Sequence, residues 1–396
     1  MAITLIINTG SSTKKYALYR DGREVLFVLI AKEQGEIRYS VRKNDAWLEN
    51  VAITDAEFQN SAEKIIKTAQ QLGCIQTAVE IQFIGMRIVA PGRAFQSHQV
   101  LTAELYEELR ACAASAPLHV PPVLKEVKVV KDVLPEAKLV AVSDSAFHST
   151  MPTKASAYSI PEADRAMFGL QRYGYHGLSV SSVVRRIHAV TGKNLARVIV
   201  CHLGSGASVT AVQDGVSVDT SMGFSPGSGL PMGSRSGDLE TGALLELMRL
   251  KQMNPYDAYT YIQTRGGFRG FTEESDIRHL LERAAKQDEQ AILAFDRFAH
   301  CVKKQIGSMM AILGGVDGVV LTATAGERSP VLRQLCLRGL EDIGIVLDDD
   351  KNNEVISKDG VISPTGSQVK VMVIRTGEMK EMQRIAEEVG AKEMSK

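Results

Sequence analysis

Two stretches share one plan. The first reads Ile3-Thr-Leu-Ile-Ile-Asn8-Thr-Gly10-Ser11-Ser12-Thr13-Lys14-Lys15-Tyr-Ala-Leu-Tyr19 and runs into Asp21-Gly22. The second reads Arg197-Val-Ile-Val-Cys-His202-Leu-Gly204-Ser205-Gly206-Ala207-Ser208-Val-Thr-Ala-Val212 and runs into Asp214-Gly215. Each is an apolar strand, a tight Gly/Ser loop, a second apolar strand and an Asp-Gly hairpin turn. Small residues in such a loop let main-chain N–H groups approach phosphate oxygens. Two copies in two halves of one chain predict two related domains, each with a loop suited to a phosphate. That is a plausible design for an enzyme that handles a polyphosphate.

Length and composition fit this plan. At 396 residues the chain can build two sizeable cores. Apolar residues make up 44% and charged residues 23%, as in ordinary globular proteins. The formal net charge is zero, which argues against a nucleic-acid or membrane surface, since both favour excess Lys and Arg. The cysteines at 74, 112, 201, 301 and 336 are scattered and odd in number, as expected of reduced thiols in a cytoplasmic protein. The first apolar run is only a strand long and is expected not to be a leader. No run is long enough to span a bilayer.

Periodicity predicts strands and helices in alternation, hence an α/β class with mixed sheets. Strands are expected at 3–7, 15–19, 24–30, 81–89, 138–142, 197–218 (with a loop inside), 318–322 and 369–374. Helices are expected at 55–73, 103–113, 121–133, 178–190, 240–251, 289–313, from Ser329, and at 378–390. The segment 323–328 reads as a loop. Residues 149–165 read as a crossing between domains.

Several residues stand out chemically. Asn8 and the Ser11–Lys15 loop are short donors beside a turn; alone they are as consistent with an ordinary hairpin as with a phosphate site. The segment Asp219–Asp238 holds five glycines and few helix formers. Long irregular segments inside compact domains usually carry function. Within it, Arg235 sits among small residues, where its fork of donors would hold a carboxylate or phosphate at two points. Arg87 ends an apolar strand, so it needs either an ion-pair partner or a ligand. Asp144 follows a strand end, where α/β proteins bind ligands. His176 sits at a turn before a helix, and Glu378 opens the last helix. Neither is specific alone. Competing motifs fail in context. Gly223-Phe-Ser225-Pro-Gly227 lacks the strand and helix of a nucleophile elbow. Gly192-Lys193 lacks the upstream glycine of a phosphate-binding P-loop.

Read in order, these segments resemble the acetate kinase family of short-chain acyl kinases. The resemblance rests on Asn8-x-Gly-Ser-Ser-Thr-x-Lys15, Met86-Arg87-Ile-Val, Ala116-Pro-Leu-His119, Ser143-Asp144-Ser-Ala-Phe-His148, Tyr173-Gly-Tyr-His176-Gly177, His202-Leu-Gly-Ser-Gly-Ala-Ser208, Met232-Gly-Ser-Arg235-Ser-Gly-Asp238, Ser275-Asp276-Ile-Arg278 and Gly326-Glu327. It implies two duplicated ribonuclease-H-like domains, residues 1–150 with 379–396 and residues 151–378, with the active site in the cleft between them. It implies reversible transfer of a phosphoryl group between ATP and acetate, dependence on Mg2+ or Mn2+, and a homodimer without nucleic-acid or membrane partners.

Residue by residue, the resemblance implies that Arg87 and Arg235 grip the acyl carboxylate and the migrating phosphoryl group. His176 would stabilise that group's oxygens, and Asp144 would position the site. Asn8 and Glu378 would help to hold the metal. Val89, Leu118, Tyr175 and Pro226 would enclose the acyl methyl, with His119 in support. Ser11, Lys15, His202, Leu203, Gly204, Ser205 and Gly206 would line the phosphate path. Asp276, Ile277, Arg278, Thr324, Gly326, Glu327 and Arg328 would face the nucleotide.

The chain departs from the family pattern in places. Met86 and Ala90 stand where the family usually has histidines, and Tyr175 stands where it has Phe, which predicts a narrower or more polar acyl pocket. Thr324-Ala-Gly326-Glu-Arg328 replaces the usual Gly-Ile-Gly-Glu-Asn. A Cβ at Thr324 would obstruct backbone approach to a nucleoside, and Arg328 would attract phosphate. ATP, another nucleotide and pyrophosphate all remain open as donors, propionate remains open as acceptor, and a non-catalytic metabolite-binding role remains a third reading.

Overall fold

A computed structural model of the chain describes residues 2–10, 13–33 and 35–394. The chain forms two compact units, Met1–Ala146 with Gly377–Lys396, and Phe147–Thr376.

The sheet of the first unit contains β1 (Ile3–Thr9), β2 (Thr13–Arg20), β3 (Arg23–Glu33), β4 (Glu36–Lys43), β5 (Ala46–Ile53), β6 (Ile81–Ile88), β7 (Gln99–Val100) and β8 (Lys138–Ser143). Their order is β5-β4-β3-β2-β1-β6-β8-β7. The second sheet contains β9 (Arg197–Leu203), β10 (Ala207–Gln213), β11 (Val216–Thr220), β12 (Gly318–Thr322), β13 (Gly360–Val361) and β14 (Lys370–Val373), in the order β11-β10-β9-β12-β14-β13.

The two sheets repeat one topology. An antiparallel meander, β1–β5 in the first sheet and β9–β11 in the second, is extended by two parallel strands and closed by a short antiparallel edge strand. Both Asp-Gly turns have positive φ at both residues, 48° and 75° at Asp21 and Gly22, and 50° and 84° at Asp214 and Gly215. That is the primed turn whose twist matches the strands. The duplication expected from the repeated hairpin is therefore present, in the ribonuclease-H-like plan that the resemblance implied.

Alternation decides which side chains face which layer. In the first unit Leu5, Ile7, Tyr16, Leu18, Ile84, Met86 and Ile88 share one core with the helices Ser61–Gln71 and Val120–Val133. The opposite face receives the last helix, Glu378–Met394, which packs on β1, β6 and β8. Two glycines permit that close approach. A Cβ on Gly85 would lie 2.7 Å from Ile6 Cδ1 and 3.0 Å from Ala386 Cβ, and one on Gly390 would lie 2.4 Å from Phe83. In the second unit the helix Glu289–Leu313 packs on β9 and β10, and Val180 and Val183 of the helix Gly177–Val184 join Val198, Val200 and Val320 in a second core.

Four expectations need correction, and three helices were not anticipated. The opening meander has five strands, not three. In β4 only Ile37, Tyr39 and Val41 point inward, and β5 is exposed along almost its whole length. The helix expected at 55–73 breaks at Asn60 into Asp55–Gln59 and Ser61–Gln71. The helix expected at 178–190 breaks after Val184 and resumes at Ile187–Thr191. Helices Pro255–Thr264, Gly267–Thr272 and Ile277–Ala285 follow the irregular segment. The segment 323–328 is a short helix, Ala323–Arg328, entered through Ala323 at φ 64°.

Candidate active site

Each unit carries its own group of candidate residues. In the first they gather beyond the carboxyl ends of the parallel strands β1, β6 and β8, the usual ligand position of an α/β sheet. Ile7 pairs with Met86, so Asn8 follows beside Arg87. Asp144 follows β8 and is held there by its N–H, which donates to Ile88 O at 2.9 Å. Arg87 donates from Nε to Asp144 Oδ1 at 3.3 Å, from Nη2 to Asp144 Oδ2 at 2.9 Å and from Nη1 to Asn8 Oδ1 at 3.3 Å. Glu378, at the start of the last helix, lies 4.0 Å from Arg87 Nη1. Burial works against the Arg87 charge, but the carboxylates of Asp144 and Glu378 outweigh it and hold the guanidinium firmly protonated.

Asn8 and Lys15 are opposite each other across the hairpin, so they share a sheet face. Lys15 is exposed there. Its neighbour Lys14 turns inward, donating to Glu126 Oε2 at 2.7 Å, Phe58 O at 2.7 Å and Ser61 Oγ at 3.0 Å. Ser11 lies outside the described residues. Val89 is half-buried just after Arg87, and Leu118 and His119 are half-buried in the turn before the helix Val120–Val133.

In the second unit the group surrounds the β9–β10 hairpin. His202 and Leu203 end β9, and Gly204 N–H closes the turn onto Gly206 O at 3.0 Å. A Cβ on Gly206 would lie 3.0 Å from His176 Nε2 and 3.7 Å from Arg235 Nη1. Glycine at 206 therefore leaves room for an imidazole and a guanidinium at the same peptide. His176 caps the helix Gly177–Val184 in the left-handed conformation, φ 60°. Its ring stacks on that of His202 at a centroid distance of 4.0 Å, and its Nδ1 lies 3.0 Å from Ser208 Oγ.

A chain of hydroxyls continues behind the histidines. His202 Nδ1 lies 2.8 Å from Ser179 Oγ, which accepts from Thr376 Oγ1 at 3.0 Å. Thr376 N–H donates to Glu327 Oε1 at 2.7 Å. Burial pushes the Glu327 carboxyl up, partly opposed by backbone N–H groups of Thr376 and Ala323. The short helix carrying Thr324, Gly326, Glu327 and Arg328 lies directly beside the hairpin. A Cβ on Gly204 would touch Ala323 Cβ at 3.4 Å, and one on Gly326 would touch Leu203 Cβ at 3.7 Å. Thr324 and Arg328 are its exposed members.

The segment Asp219–Asp238 is folded inward, with Met222, Leu230 and Met232 fully buried. It is laced to the stretch 172–175. Arg172 donates to the carbonyls of Thr220, Ser221 and Met222, and the N–H groups of Tyr173 and Gly174 reach Gly223 O. Gly174 has φ 74°, and a Cβ there would lie 2.7 Å from Thr220 Cγ2 and 2.8 Å from the His148 ring. Tyr175 is fully buried, with its hydroxyl donating to Phe224 O at 2.6 Å. Pro226 is buried two residues on, and its carbonyl accepts from Arg235 Nη1 at 3.0 Å.

Ser205 O accepts from Gly233 N–H at 3.2 Å, and a Cβ on Gly233 would touch Ser275 O at 3.4 Å, which brings the Asp276 turn beside the β9–β10 hairpin. Asp276 caps the helix Ile277–Ala285 and is pulled down to about 2 by Arg278, whose own side chain is largely exposed.

Sequence reasoning did not single out Ser179, Ser208 or Thr376. Ser179 and Ser208 had a signal, short hydroxyls two residues past the His176 motif and at the end of the His202 motif. Thr376 is brought in by contacts far along the chain.

Residues 3–384 match the family described as Acetokinase. The acetate kinase of Acetivibrio thermocellus is 36% identical over 388 residues, covering 96% of this chain and 97% of that protein. That of Thermotoga maritima is 37% identical over 401 residues, covering 98% and 99%. Among solved structures, Porphyromonas gingivalis acetate kinase superposes with a TM-score of 0.87 at 30% identity, covering 98% of this chain and 100% of that one. A propionate kinase from Francisella tularensis gives 0.90 at 28% identity, with coverage of 98% and 100%. The chain belongs to the acetokinase family.

Proposed function

We propose that this protein is an acyl kinase that transfers the terminal phosphoryl group of ATP to the carboxylate of acetate, reversibly, giving acetyl phosphate and ADP. The observation that carries the reading is the placement of His176 Nε2 and Arg235 Nη1 at one glycine peptide of the hairpin, Gly206. A migrating phosphoryl group spreads negative charge over its equatorial oxygens, and an imidazole and a guanidinium suit that charge. The acetate oxygen is itself the nucleophile, so no side-chain nucleophile is required. Arg87, pre-set by Asp144 and Asn8, neutralises the acyl carboxylate. Phosphate oxygens follow the N–H groups of His202–Gly206, and the Ala323–Arg328 and Asp276–Arg278 turns receive the donor.

The donor set of the first unit fits a magnesium ion. Asp144 and Glu378 bring two carboxylates against one guanidinium, and Asn8 adds a neutral oxygen. Among the described residues no group of three or more His, Cys, Asp or Glu side chains is arranged to hold a metal. A hard cation that keeps most of its waters and binds substrate phosphates needs no such cage. Asn8 and Glu378 would hold it through water, and when bound it neutralises phosphate charge.

The homodimer belongs to the same reading. The helix Thr241–Lys251 buries none of its residues, although it carries Leu244, Leu245, Leu247, Met248 and Leu250. Leu239, Leu245, Leu250 and Tyr256 are exposed. A second copy covering this stretch would remove that apolar area from water. Light scattering on the protein and on Leu245→Asp tests it. A monomeric wild type would end this part of the reading.

An acyl hydroxamate assay tests the activity, with acetate, propionate and butyrate as acceptors and ATP, GTP and pyrophosphate as donors. Acetate with ATP should give the highest kcat/KM. Turnover with pyrophosphate alone would favour the second reading on donor, which rests on exposed Thr324 and Arg328. No turnover with any pair would overturn the enzyme reading.

A further inference from the structure

We propose that the hydroxyls of Tyr158 and Tyr175 form a clamp on the backbone N–H and carbonyl of Phe224 that positions Arg235 and sets how large an acyl group is admitted. The selectivity part rests on the acyl-kinase reading above. The clamp itself does not.

Phe224 lies in irregular chain, so no strand or helix ladder satisfies its backbone groups. Side chains do so instead. Its N–H donates to Tyr158 Oη at 2.8 Å, and its carbonyl accepts from Tyr175 Oη at 2.6 Å. The preceding carbonyl, of Gly223, accepts from the N–H groups of Tyr173 and Gly174 at 3.1 and 3.3 Å. Glycine at 223 is what admits the phenol, because a Cβ there would lie 2.5 Å from Tyr158 Oη. The Phe224 ring lies against that of Tyr173 at a centroid distance of 5.9 Å. The Phe224 residue is thus gripped at its N–H, at its carbonyl and on its side chain, so the two peptide groups that flank it are both held.

The grip is transmitted over two residues. Pro226 O then accepts from Arg235 Nη1 at 3.0 Å. Proline fixes its own φ and restricts Ser225 before it, so displacement of the Phe224 backbone moves Pro226 with it. Pro226 is at once the candidate acyl wall and the acceptor that orients the guanidinium. Tyr175 is fully buried with its hydroxyl engaged on Phe224 O, so this phenol acts on the pocket through the backbone. Tyr158 and Tyr175 are therefore positioning residues. Losing either hydroxyl leaves a backbone group of Phe224 without that partner, which such a segment relieves by shifting.

The test uses Tyr158→Phe, Tyr175→Phe and the double variant, each of which keeps the ring and its packing. Kinetics with acetate, propionate and butyrate are compared with hydrogen exchange on a peptide spanning residues 221–230 and with thermal melting. Each single variant should raise KM for acetate more than it lowers kcat. It should cut the preference for acetate over butyrate by about tenfold, the scale of one lost hydrogen bond. Tyr158→Phe should speed exchange within that peptide by about tenfold, because the Phe224 amide loses its acceptor. Unchanged chain-length preference with unchanged exchange overturns the proposal. A lower melting temperature with unchanged preference overturns the selectivity role and leaves only a structural one. If wild type turns over no carboxylate, the acyl-kinase reading fails, and the exchange measurement still decides the clamp.

Discussion

Arg87 and Asp144 meet through two hydrogen bonds, 3.3 Å from Nε and 2.9 Å from Nη2, and the carboxylate side chain is only 1% exposed while the guanidinium is 18% exposed. The buried acid thus holds a partly exposed cation in a fixed pose, with Nη1 turned toward Asn8 and Glu378. Preorganised charge of this kind stabilises developing charge without reorganising during reaction.

Asp144→Ala should therefore lower kcat/KM for acetate by about 10²–10³-fold, the range found when one preorganised contact is removed. Arg87→Ala should do at least as much. Steady-state kinetics decide this, and an Asp144→Ala enzyme within threefold of wild type would show that Arg87 needs no anchor.

Arg235→Lys retains the charge and loses the fork that reaches Pro226 O. A point ammonium cannot reproduce two-point geometry. Activity should fall about a hundredfold with little change in melting temperature. A fully active lysine variant would show that only charge matters at this position.

Lys14 and Glu126 form a buried pair whose side chains are 6% and 1% exposed, with Tyr16 Oη donating to Glu126 Oε1 at 2.6 Å. Truncation of one member strands a charge, so Glu126→Ala should cost about 3–5 kcal/mol in urea unfolding. Lys14→Met combined with Glu126→Leu should recover much of that loss, because an apolar pair of similar volume avoids the desolvation penalty. Equal losses in the single and double variants would refute the coupling.

His98 accepts the Ser143 N–H at Nδ1 at 3.1 Å, just behind Asp144. Burial brings its pKa from 6.5 down to about 4, and Arg384 adds to the effect while Glu381, Asp144 and Glu388 oppose it. Between these values the unfolded chain binds more protons than the native one, so stability rises with pH. His98 stability is thus full above about pH 6.5, is lost as pH falls toward 4 and changes no further below it. His98→Gln, which keeps an acceptor for Ser143, should flatten the dependence between pH 4.5 and 6.5 in urea titrations. Parallel curves for wild type and variant would refute it.

Local patterns carried much of the fold. The repeated hairpin, the primed Asp-Gly turns and the 3,4 spacing of the helix Glu289–Leu313 were all legible. The strand β5 was not, because it is exposed on both sides and shows no alternation. The helix Ala323–Arg328 looked like a loop because Thr, Ala, Gly and Arg in so short a run carry no period. The break at Asn60 was hidden because apolar residues continue on one face across it. Arg87 and Asp144 were visible as charges ending apolar strands, but their pairing was not, since 57 positions separate them.

Strand and turn chemistry between near neighbours determined that the chain would make two similar sheets opened by antiparallel hairpins, because a period of two and a positive φ are properties of a few consecutive residues. Only the tertiary structure decided that Lys14 is buried against Glu126 while Lys15 shares the face of Asn8, and that Tyr158 and Tyr175 take the N–H and the carbonyl of Phe224. Such pairings depend on which distant element arrives across the core, and that is settled by burying apolar area and satisfying every enclosed polar group together.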